Sequence, residues 1–64
     1  MNQVPSTIEE VRKIAEEITS GAPESVTALM GIFRVRMLMG DSLEQACIEM
    51  LKHYLKAAEA RNRH

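Results

Sequence analysis

Residues 26–39 read VTALMGIFRVRMLM, and the rest of the chain is arranged around them. Wound as an α-helix, this stretch puts Val26, Leu29, Met30, Phe33 and Met37 on one face, the spacing of an amphipathic helix. Ile32, Val35, Leu38 and Met39 spread over the remaining circumference, interrupted only by Thr27, Gly31, Arg34 and Arg36. A helix that is apolar nearly all round is normally buried on every side or lies in a membrane. Crossing a bilayer takes roughly 20 apolar residues; this stretch is shorter and holds two arginines. The expectation is therefore a core helix. A chain of 64 residues offers little to surround it, so a second chain is expected to supply the missing cover.

The same residues allow a rival reading. Over 32–37, Phe33, Val35 and Met37 alternate with Arg34 and Arg36, the period of a β-strand. Met, Leu and Ala on both sides favour helix, and no second strand candidate exists. Such a strand would have to pair with its own copy in another subunit.

Working outward, Gly40 ends the central helix, and Gly21 is the expected left-handed stop before it. Pro23 suits the first turn of the central helix, and Glu24 its positive end. Upstream, Ser6 and Glu9 form a capping-box pattern. Ile8, Val11, Ala15 and Ile18, widened by Ile14, then give helix one over about residues 7–19, with an apolar stripe of about 120°. Residues 1–5 read as an extended lead-in, since Pro5 biases Val4 away from helix. Downstream, Asp41 with Glu44 is the preferred capping pair for helix three, with Ser42 the other candidate. Leu43, Ala46, Cys47, Met50, Leu51, Tyr54, Leu55 and Ala58 form its stripe. Ile48 widens that arc to roughly 200°, which predicts two packing partners. Residues 60–64 read as a frayed basic tail. The segment GDSLEQACIEMLKHYL, residues 40–55, resembles the last helix of ubiquitin-associated domains and equally the second helix of ribbon-helix-helix dimers. It lacks the helix-one-to-two loop of the former and the basic-polar strand of the latter, so no family is assigned.

At this size, the gain from burial and the cost of ordering the chain nearly cancel. Small domains escape with disulfides, a metal or oligomerisation. Cys47 is the only cysteine, and Cys47, His53 and His64 show no zinc-ligand spacing. Oligomerisation remains. A lone thiol in an apolar stripe suits a reducing compartment, and residues 1–10, MNQVPSTIEE, do not read as a secretory signal. A cytoplasmic protein without a membrane segment is expected.

Catalysis finds little support. Cys47 lies beside Met50 and Leu51 and reads as a small core residue, without the positive surroundings of a reactive thiol. Glu9, Glu10, Glu16 and Glu17 share a solvated face with Arg12 and Lys13, and His53 reads as a solvated or interface histidine. No phosphate-binding glycine loop is present, and no cofactor is expected. Arg34 and Arg36 are more informative, because they interrupt an apolar helix. They read as rim contacts whose stems lie along an interface. A role on phosphates, with Lys52, Lys56, Arg61 and Arg63, is the competing reading. A net charge of −1, from eight basic and nine acidic residues, opposes it. Met30, Met37, Met39 and Met50 serve as core filler or as an adaptable contact surface.

These observations predict one all-α domain over residues 1–64: three helices, with an antiparallel hairpin of helices two and three at the centre of a homodimer. The expected function is that of a small non-enzymatic regulator, inhibitor or assembly factor that binds another protein. Phe33, Met37, Met50 and Tyr54 are the expected anchors, with Arg34 and Arg36 at the rim. The alternatives are a dimeric DNA-binding regulator using Arg34, Arg36 and the basic C-terminus, and an accessory helical subunit of a larger complex.

Overall fold

The structure is a computed structural model and describes residues 4–62. Among these residues it is all-helical: α1 (Ile8–Ile18), α2 (Pro23–Leu38) and α3 (Leu43–Asn62), with no strand. Residues 32–37 are helical, so the strand reading is set aside. Helix α3 ends at Asn62, and Arg63 and His64 of the expected basic tail lie outside the described residues. So does most of the expected lead-in; Val4 and Pro5 are outside any helix.

Each helix start follows from local chemistry, though not always at the expected residue. The capping box of α1 is Thr7 with Glu10, one position after the expected Ser6 and Glu9. Thr7 Oγ1 accepts the Glu10 N–H at 3.2 Å. Glu10 Oε1 accepts the N–H of Thr7 at 3.2 Å, the N–H of Ser6 at 2.8 Å and the Ser6 hydroxyl at 3.0 Å. The later register wins because one carboxylate then gathers three donors. Those donors hold the Glu10 pKa below the ordinary carboxylate value, the Ser6 N–H most strongly. Helix α3 is capped by Ser42, whose Oγ accepts the Gln45 N–H at 3.1 Å, and not by the preferred Asp41. Asp41 is engaged elsewhere, as described below. Helix α2 begins at Pro23 without a side-chain cap, its N-cap residue being Ala22.

The helix ends close in the same manner. At the end of α1, the Gly21 N–H donates to the Glu16 carbonyl at 2.8 Å and the Ser20 N–H to Glu17 at 3.4 Å. This is a Schellman motif. Its left-handed C′ residue is Ser20, at φ 55°, rather than the expected glycine; Gly21 follows at φ 78°. At the end of α2, Asp41 N–H donates to Arg36 and Gly40 N–H to Met37, each at 3.0 Å, with Gly40 at φ 104°.

Helix α2 is central and packs on both α1 and α3, which meet each other much less. The core joins Val11 and Ala15 of α1, Leu29, Met30 and Phe33 of α2, and Ala46, Cys47 and Met50 of α3. Phe33, Met50 and Val11 are its largest fully buried side chains, and among the described residues no polar residue is buried with them. The buried face of α2 is the expected one, with Val26 and Met37 partly covered. The all-round burial expected of α2 is not achieved within one chain. Two neighbouring helices cover only part of a helix circumference, and Val35, Leu38 and Met39 are left exposed. Helix α3 likewise leaves Ile48 and Leu55 exposed.

Candidate functional site

The side chains singled out above separate into three groups. Phe33 and Met50 are fully buried and hold the helices together, so neither offers surface to a partner in this conformation. Met37 packs partly buried at the core edge. Tyr54 is half-buried, and its hydroxyl donates to the Ile18 carbonyl at 2.7 Å. Ile18 is the last residue of α1, where carbonyls lack intrahelical partners. The phenol therefore ties α3 to the end of α1, across 36 positions of sequence.

The two arginines have different fates. Arg36 Nε donates to Asp41 Oδ2 at 2.8 Å, with both side chains partly shielded from solvent. The same two residues already share the backbone bond that closes α2. Arg36 thus staples the α2–α3 connection, and Asp41 is drawn away from capping α3. Arg34 is exposed. With Arg12 and Gly31 it lines a shallow hollow of about 270 Å³ between α1 and α2.

Two surfaces remain. The first is the C-terminal end of α2, where Val35 is 54 %, Leu38 86 % and Met39 68 % exposed. Three large apolar side chains within five positions are exposed there, whereas single exposed apolar residues are ordinary. The second is an open groove of about 470 Å³ between the first half of α2 and the second half of α3. Ile18, Leu29, Ile32 and Tyr54 floor it, and His53 and Arg61 stand at its edge. Periodicity pointed to surplus apolar residues on α2, but the groove carried no local signal, because its walls come from three separate elements.

Cys47 is buried, and loss of solvation pushes its thiol pKa up, which disfavours the reactive thiolate. Among the described residues, no three His, Cys, Asp or Glu side chains come together as metal ligands. No helix among them is long and apolar enough to cross a membrane. Comparison with protein-family models, curated proteins and solved structures finds no match to this chain.

Proposed function

We propose that this chain is a non-enzymatic protein-binding component, acting as a regulator, inhibitor or assembly factor, and that it works as a homodimer in the cytoplasm. The observation that carries the reading is the exposed apolar end of α2, Val35, Leu38 and Met39. In this reading α2 and α3 form an antiparallel hairpin, and two copies cover each other's α2 ends, leaving other surface for a different protein. The engagement of Arg36 by Asp41 favours a protein contact over a phosphate contact, because one of the two interrupting arginines is already neutralised.

Sedimentation velocity over micromolar concentrations, comparing the wild type with Leu38→Glu, tests this. Burying a leucine side chain stabilises by about 2 kcal/mol. A two-fold interface counts it twice, so the loss is about 4 kcal/mol, or roughly a thousandfold in dissociation constant. The variant should be a folded monomer where the wild type is a dimer. A wild type that stays monomeric throughout refutes the homodimer, and a variant that associates equally well refutes the α2 end as its interface.

A further inference from the structure

We propose that the groove between α2 and α3 receives an acidic, aliphatic segment of the partner protein, an assignment that rests on the protein-binding reading above. The floor is aliphatic and aromatic, from Ile18, Leu29, Ile32 and the Tyr54 ring. The bond from Tyr54 to the Ile18 carbonyl fixes its shape. Ala28 and Ala57 are exposed along it, and their small side chains leave room for one or two side chains of another molecule.

Charge selects the occupant. Arg61 is the charged side chain in the groove lining, and no Asp or Glu lines it, in a chain with nine acidic residues. Helix α2 also begins there: Ala22 and Ser25 lie in the lining, and Ala22 provides no side-chain cap. The unpaired N–H groups of that helix start are offset by the C-terminal turns of α1 and α3 in the same lining, so the selection rests on Arg61. The groove is open, whereas sites for small molecules bury 70–90% of their ligand. An open, cation-edged apolar groove suits side chains projecting from a larger body, with an aliphatic residue on the floor and a carboxylate turned towards Arg61.

The groove and the proposed dimer surface come within one turn of each other on α2, at Ile32 and Val35, but the positions substituted to test them, Ala22 and Leu38, lie about 24 Å apart along that axis. The two can therefore fail independently.

The test is panning of a random dodecapeptide display library on the full chain. The best enriched peptide is then synthesised and titrated against ¹⁵N-labelled protein. Enriched sequences should pair aliphatic residues with Asp or Glu, and the amides of Ala22, Ser25, His53, Tyr54 and Arg61 should shift. Arg61→Glu should weaken the peptide about tenfold. Ala22→Asp should weaken it several-fold while raising stability to urea, because it caps α2 and places a carboxylate at the groove. Unfolding cannot produce that combination. Absence of enrichment, enrichment without acidic residues, or shifts confined to other surfaces would overturn the assignment. Decanoate moving the groove amides where no peptide does would overturn it in favour of a small carboxylate. If the groove fails while Leu38→Glu still dissolves the dimer, only the groove assignment is lost.

Discussion

Replacing Phe33 by alanine separates the fold from its surfaces most sharply. Phe33 is fully buried where α1, α2 and α3 meet, and it is the largest such side chain. Truncating a buried phenylalanine removes its transfer energy and leaves a cavity that neighbours fill only in part, at a cost of about 3–5 kcal/mol. A domain of this length is stable by about 3–10 kcal/mol in total. The variant is therefore left with between about 7 kcal/mol and none. Circular dichroism at 222 nm against urea reads this directly. With a slope near the low end for small proteins, about 1 kcal/mol per molar, the midpoint should fall by about 3 M or more. Leu38→Ala, five positions on and exposed, should move the stability of the monomer by less than about 0.5 kcal/mol. Both are measured at two protein concentrations, because self-association would add a concentration-dependent term. A Phe33→Ala midpoint within about 0.5 M of the wild type would show that this core does not carry the fold.

Two further outcomes follow from the helix ends. Ser20 holds φ 55°, a conformation that costs an L-residue about 1 kcal/mol and glycine almost nothing. Ser20→Gly should therefore stabilise by about 0.5 kcal/mol after the added freedom of the unfolded chain, raising the melting temperature by about 3 °C; a lower melting temperature would contradict the strain. Glu10 has a folded pKa below its unfolded value, chiefly through the Ser6 N–H. Its contribution is thus complete above the unfolded value of about 4.3 and is lost as pH falls through the lower, folded one. Urea midpoints taken from about pH 5 down to about pH 2 should fall less steeply for Glu10→Gln than for the wild type, and parallel profiles would exclude this linkage.

How far the site could be read in advance differs by residue. Surplus apolar character on α2 was legible, because the count of apolar positions around one helix needs no partner. Arg36 was not legible as a staple. Its position within an apolar helix suggested an interface, and its pairing with Asp41 depends on how the chain turns after Gly40. Phe33 and Met50 looked like anchors for a partner, since periodicity says that a residue is buried but not by which chain.

By itself the sequence determined the three helices, their breaks near Gly21 and Gly40, and the face of α2 that turns inward. Those features are settled by groups a few residues apart: caps, glycine and proline geometry, and the 3.6-residue period. Only the tertiary structure decided the rest. It joined Tyr54 to Ile18, shaped the α2–α3 groove, and left the α2 end uncovered. The choice of Thr7 and Ser42 over their neighbours as caps is a local competition, set by which donors and carboxylates within about five residues are already engaged. The groove and the bare helix end exist only because three short helices, once packed around Phe33, run out of chain surface to cover one another.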